Sequence, residues 1–110
     1  MQDLVRRLRK FRDDRDWQQF HTAKDLALSV SVEAGELLEL FQWRAEGEPV
    51  TKELVDRVSS EAADVVLYLL LLCDKLGIDL EQAAATKITL NEQRFPVASS
   101  FGIAKPDEAN

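Results

Sequence analysis

Four carboxylates fall at matched spacing in this chain: Glu33 and Glu36, three residues apart, and Glu61 and Asp64, again three apart. Both pairs lie among aliphatic residues, in "SVEAGELLELFQW" (31–43) and "EAADVVLYLLLLC" (61–73). An ideal helix turns about 100° per residue, so with Glu33 at 0° Glu36 falls at about 300°, Leu40 at about 340°, Leu26 at about 20° and Leu37 at about 40°. Lys24, Ser31 and Gln42 fall on the opposite side. Both glutamates therefore occupy the apolar stripe that a helix normally buries. Glu39, at about 240° on the same wheel, turns away and reads as surface charge. On the second segment Leu54, Val65, Tyr68 and Leu72 fall within about 60° of Glu61. Two helices thus each carry an acidic pair on the face that should meet the other.

Bringing four carboxylates together is costly, because each ion loses hydration worth several kcal/mol and each repels the others. Protonation, pairing with Lys or Arg, or a bound cation can relieve that cost. Neutralising all four by protonation at pH 7 demands large upward pKa shifts. Arg57 and Lys75 share the face of Glu61, one turn before it and two to three turns beyond Asp64, and can neutralise part of the charge. A divalent metal neutralises more, at the centre. All four ligands are oxygen donors, with no His or nearby Cys, which suits Mg²⁺ or Mn²⁺ rather than Zn²⁺. The Glu-x-x-His pairs of di-iron bundles are absent. An isolated E-x-x-E is ordinarily a solvated face; two matched pairs in leucine stripes point to a metal site.

Aromatic residues recur nearby. Trp43 lies seven residues after Glu36, and Tyr68 four after Asp64. Each continues the face of its acidic pair and can either pack a core or wall a pocket in which a base stacks. Trp17, Phe20 and His21 crowd the segment before the second helix, where loop aromatics are less easily explained as core. Lys87, Asn91 and Arg94 stand at i, i+4, i+7 and form a stripe that can bind phosphate oxygens or simply face solvent.

Helices must position these residues. The apolar period is helical almost throughout. It predicts helices over about 3–14, 23–45, 52–76 and 80–95, with "RDWQQFHTAK" as a connection. Thr22 with Asp25, and Asp79 with Gln82, resemble capping boxes. Gly47, Pro49, Gly77 and Pro96 are placed to end helices. The expected fold is all-α, a four-helix bundle-like protomer with two long central helices over 1–96, followed by a flexible tail over 97–110. Val65 to Cys73 is apolar all round and must be covered on every side, which one small chain struggles to do; a homo-oligomer is expected.

The chain has 110 residues, enough for one domain. Its net charge of −6 and pI of about 4.8 argue against binding nucleic acid or an anionic membrane. Cys73 is the sole cysteine, so no internal disulfide exists, and it reads as a buried apolar residue. The charged N-terminus is not a signal peptide. The run "VVLYLLLLC" falls short of the about 20 residues a membrane span needs. A cytoplasmic location is expected.

"RDWQQFHTAKDLALSVSVEAGELLELFQW", "EAADVVLYLLLLCDKLGIDL" and "LNEQRFP" together resemble the all-α nucleotide pyrophosphohydrolases of the MazG-like superfamily, most closely the dCTP pyrophosphatase branch. The likeness covers roughly residues 4–96. It implies Mg²⁺-dependent hydrolysis of a (deoxy)nucleoside triphosphate to the monophosphate and pyrophosphate, with a house-cleaning role in nucleotide pools. It implies Glu33, Glu36, Glu61 and Asp64 as metal ligands, with Glu33 or Glu36 activating water. Trp17, His21, Trp43 and Tyr68 would hold the nucleotide, and Lys87, Asn91 and Arg94 would meet phosphates. A His that the dCTP branch can carry in its first helix falls at or near Leu8 here. The resemblance also implies a homodimer or a dimer of dimers, with sites between subunits. Two other readings stay open on the residues: a non-catalytic helical dimerisation module with a structural cation, and a same-fold hydrolase of another phosphate compound such as phosphoribosyl-ATP.

Overall fold

Local capping sets where the helices begin. In the computed structural model, which describes residues 1–104, the elements are α1 (Gln2–Asp14), a 3₁₀ turn (Trp17–Phe20), α2 (Ala23–Glu39), α3 (Lys52–Lys75), α4 (Leu80–Arg94) and α5 (Val97–Ser100). No strand occurs among the described residues, so the expected all-α class holds, with α2 and α3 as the long pair. Thr22 Oγ1 accepts the Asp25 backbone N–H at 3.0 Å, Thr51 Oγ1 that of Leu54 at 3.1 Å, and Asp79 Oδ1 that of Gln82 at 3.0 Å. Each bond satisfies one N–H that the first helical turn leaves unpaired. Gly77 ends α3 at φ +70°, a left-handed value that glycine alone adopts freely. Asp16 takes a left-handed turn at φ +55° between α1 and the 3₁₀ turn.

Two boundaries differ from expectation. α2 stops at Glu39 rather than near Ala45. Beyond it the backbone tightens into three-residue turns, with Leu40 N–H donating to Leu37 O at 3.3 Å and Phe41 N–H to Leu38 O at 2.9 Å. Such i→i−3 bonds satisfy the carbonyls at a helix end. The connection before α2 is also less irregular than its broken periodicity suggested, since Trp17–Phe20 winds one 3₁₀ turn.

Two compact units make up the chain, one spanning Met1–Gly77 and one beginning at Ile78. In the first, α2 packs along α3, and α1 packs against α3. The core is small: Leu26 and Leu70 are 2% exposed, while Leu54, Leu71 and Cys73 are also buried. Burying each leucine contributes about 1.5–3 kcal/mol. Two points show that α2 and α3 run antiparallel. Glu33 of α2 meets Glu61 and Asp64 of α3, and His21, just before α2, feels the charge of Lys75 at the end of α3. Of the all-apolar stretch of α3, Leu70, Leu71 and Cys73 are covered, Val65, Leu67, Leu69 and Leu72 are half-buried, and Val66 is exposed.

In the second unit, α4 has no buried residue, and Ile88 and Leu90 are exposed. Pro96 caps the single turn α5, inside the segment expected to be a flexible tail. Residues 105–110 of that tail lie outside the described residues. Among the described residues no helix is long and apolar enough to cross a membrane.

One ion cluster ties α1 to α3. Arg9 Nε donates to Asp74 Oδ1 at 2.7 Å and Arg12 Nη1 to Asp74 Oδ2 at 3.1 Å. The Arg9 bond, and after it the Arg12 bond, hold the Asp74 carboxyl below its ordinary value of 3.8. A depressed folded pKa gives stability that is fully present above 3.8 and is lost as pH falls through the folded value. Asp74→Asn should therefore destabilise the protein at pH 7 by about 1–2 kcal/mol, the range for hydrogen bonds to a charged group discounted for the half-exposed Arg9. Urea unfolding at pH 7 and pH 3 checks this, with a smaller difference expected at pH 3.

Candidate metal centre

The antiparallel register of α2 and α3 brings residues distant in sequence to one point. Carboxylate oxygens of Glu33, Glu61 and Asp64 all lie within 4.8 Å of one another. All three residues are half-buried. Glu33 Oε2 and Glu61 Oε2 are screened from solvent and have no hydrogen-bond partner. Glu36 is exposed and adjoins the other two glutamates at the rim. Glu39 is exposed at the end of α2 and takes no part, as its helical angle predicted.

The electrostatics record the strain of this arrangement. The Glu33 carboxyl is pushed from 4.5 to about 7, first by its hydrogen bond with Glu36, then by burial, then by the charges of Glu36, Asp64 and Glu61. Glu61 is raised mainly by burial, then by Glu36 and Asp64, and Arg57 partly opposes the rise. A hydrogen bond between two carboxyl groups needs a proton between them, and Glu33, raised to about 7, is the group that keeps one as pH rises toward neutrality.

The donor set fits a hard divalent cation. Two unpartnered, screened oxygens converge with a third carboxylate, all of them oxygen donors. Oxygens bound to one ion at about 2.0–2.6 Å lie within about 5 Å of each other, as these do. Glu33, Glu61 and Asp64 can hold the ion, and Glu36 stands close enough to join them.

The aromatic residues are more dispersed. Tyr68 is half-buried one turn beyond Asp64. Trp43 is 87% exposed in the turn after α2. Trp17 packs edge-on to Phe11, with ring centroids 5.6 Å apart, and Arg15 stacks on the same Phe11 ring. His21 is half-buried with Nδ1 screened and unpartnered. Burial, with the charges of Arg12 and Lys75, lowers its pKa and favours the neutral ring. His21 stands two residues before α2, and ten residues of that helix, about 15 Å of rise, separate its first residue Ala23 from Glu33. Within one chain the Trp17–His21 segment therefore lies away from the carboxylates. Lys75, expected to help neutralise them, instead faces His21, because α3 carries it about 16 Å beyond Asp64. Lys87, Asn91 and Arg94 share α4, in the second unit. No ligand beyond those legible in the sequence joins the carboxylate group among the described residues.

The raised Glu33 pKa has a measurable sign. Between pH 4.5 and about 7 the folded state keeps a proton that the unfolded state has lost, so metal-free stability should fall as pH rises through that window. The lowered His21 pKa acts oppositely, so the difference between wild type and Glu33→Gln isolates the carboxylate. In EDTA, the melting temperature of Glu33→Gln relative to wild type should climb from pH 4.5 to 7. A constant difference across this range would refute the strained cluster.

With this geometry established, known proteins provide the comparison. A model of the MazG-like family matches residues 28–106. The chain is 38% identical over 108 residues to dCTP pyrophosphatase 1 of Mus musculus, covering 94% of this chain and 64% of the mouse protein. It is 37% identical over 100 residues to dCTP pyrophosphatase 1 of Homo sapiens, covering 87% of this chain and 59% of the human protein. The chain thus spans under two-thirds of the length of these relatives. Among solved structures it is similar to a pyrophosphatase from Archaeoglobus fulgidus, with 44% identity and a TM-score of 0.77. That likeness covers 87% of this chain and 92% of the other. The matched family segment contains both acidic pairs, all of α3 and α2 from Leu28 onward, and the chain belongs to the MazG-like family.

Proposed function

We propose that this protein hydrolyses a (deoxy)nucleoside triphosphate, dCTP or a modified dCTP first among candidates, to the monophosphate and pyrophosphate. The convergence of Glu33, Glu61 and Asp64, with two oxygens screened and unpartnered, is the observation that carries this reading. The relatives named dCTP pyrophosphatase 1 and the archaeal pyrophosphatase support the reaction class. Mg²⁺, with Mn²⁺ as a substitute, is the proposed ion; when bound it supplies positive charge against the triphosphate and Lewis acidity at the reacting phosphate. Glu33, Glu61 and Asp64 hold it, with Glu36 as the fourth ligand.

The residues contribute positioning and proton handling. A water oxygen bonds to the α-phosphorus while the bond from that phosphorus to the bridging oxygen breaks. The electron pair leaves with pyrophosphate. Glu36 at the open rim, or Glu33 beside it, accepts the water proton. Tyr68 and Trp43 flank the carboxylates along their own chain segments and form the base-binding walls. Trp17 and His21, before the start of α2 and so about 15 Å of helix away, reach the same nucleotide from a second copy. The partly covered Val65–Cys73 face and the exposed Leu28, Val32 and Leu38 support a homodimer or a dimer of dimers. A house-cleaning role in nucleotide pools, in the cytoplasm, is part of the same proposal.

Incubation with each dNTP and Mg²⁺, with products resolved, is the deciding experiment. Monophosphate plus pyrophosphate is expected, with dCTP or a modified dCTP preferred, and EDTA should abolish turnover. Release of orthophosphate alone would overturn the cleavage site, and no turnover would favour the structural-cation module. Glu36→Gln should lower kcat at least 100-fold, the lower range for loss of acid–base catalysis. For the shared site, mixing inactive Glu61→Gln with impaired Trp17→Ala protein should restore activity in hybrid oligomers. Recovery no greater than the sum of the parents would place all site residues in one chain.

A further inference from the structure

A cation held by the carboxylates must meet a triphosphate that carries several negative charges, and its own protein ligands are all acidic. A hard cation alone leaves the outer phosphates exposed to repulsion from Glu36 and from a chain of net charge −6. A cationic side chain at the rim would relieve this, so the cations of the unit Met1–Gly77 bear inspection.

Most of them are engaged or distant. Arg9 and Arg12 hold Asp74. Lys52 is paired with Asp56, one turn on in α3, and Arg44 ties down the turn carbonyl of Pro49 at 3.0 Å. The cations on and just after α1 accompany a helix that packs on α3, the element carrying Asp74 near its far end. Lys24 stands nine residues before Glu33, about 13 Å along α2, and Lys75 is farther still. Arg57 differs on each count. It precedes Glu61 by four residues on α3, about 6 Å of rise, on the same helical face. It is exposed, and among the described residues no carboxylate lies within ion-pair distance of it. Its charge is felt by Glu61.

We propose that Arg57 is a substrate-binding residue that grips the non-reacting phosphates of the nucleotide beside the metal centre. The inference rests on the triphosphate reading above and names a contact within that site. A guanidinium presents several N–H donors in a planar fork that matches two phosphate oxygens at once. With no ion pair to break among the described residues, Arg57 can swing its guanidinium on three methylenes toward the phosphates. Because the phosphates it holds do not change charge at the reacting centre, its contact is made equally before and during reaction and acts on KM more than on kcat.

The test uses Arg57→Gln and Arg57→Lys in the full chain, with Mn²⁺ alone, inorganic pyrophosphate in saturating Mg²⁺, and dNTP turnover as readouts. Arg57→Gln should weaken pyrophosphate binding about tenfold or more, the loss expected for a charged hydrogen bond. It should raise KM comparably with kcat little changed, and leave Mn²⁺ affinity equal or tighter, since a positive neighbour is removed. Arg57→Lys should recover part of the loss. Pyrophosphate affinity within twofold of wild type would overturn the proposal. So would Mn²⁺ and pyrophosphate affinities falling in parallel, which would mean that Arg57 acts only by arranging the carboxylates. Wild-type protein that binds no pyrophosphate overturns it as well. If the wild type binds Mg²⁺-pyrophosphate through Arg57 yet hydrolyses no nucleotide, the substrate reading fails while this assignment stands.

Discussion

Mutual repulsion among carboxylates held between α2 and α3 is the constraint around which the rest of this protein is arranged. Leu26, Leu54, Leu70 and Leu71 draw the two helices together by burial, and the same approach brings Glu33 against Glu61 and Asp64. The apolar contacts thus hold a charge cluster that would otherwise drive the helices apart. The raised carboxyl pKa values reflect the Glu36 hydrogen bonds, burial and that repulsion together. A cation at the convergence point turns repulsion into attraction, so function and stability share one site.

The supporting structure is distributed to suit this. Capping by Thr22 and Thr51 sets the starts of α2 and α3. The Asp74 cluster anchors α1 at the opposite end of α3 from the turn leading out of α2. Positive charge is therefore gathered at one end, against Asp74, and kept sparse around the carboxylates. Arg57 is the exception, and its position beside Glu61 gives it a distinct significance.

Much of this was legible in the chain, for identifiable reasons. Helical periodicity is a local property, so all four long helices and their caps could be read within a few residues. The angle of Glu39 excluded it from the site before any fold was known. The end of α2 was not legible, because Leu40 and Phe41 continue the apolar pattern while the backbone tightens into turns. The α5 turn was missed because four residues carry too little periodicity to register.

Sequence by itself determined the helices, the acidic stripes and the oxygen-only chemistry of the ligands, because each depends on residue type and a spacing of three or four. Only the tertiary structure decided which groups share a neighbourhood. It set Glu33, Glu61 and Asp64 together with Glu36 at their rim, gave Lys75 to His21 rather than to the carboxylates, and left Arg57 beside Glu61. Those outcomes depend on the register at which two antiparallel helices pack, and register comes from burial along the whole interface rather than from any single motif.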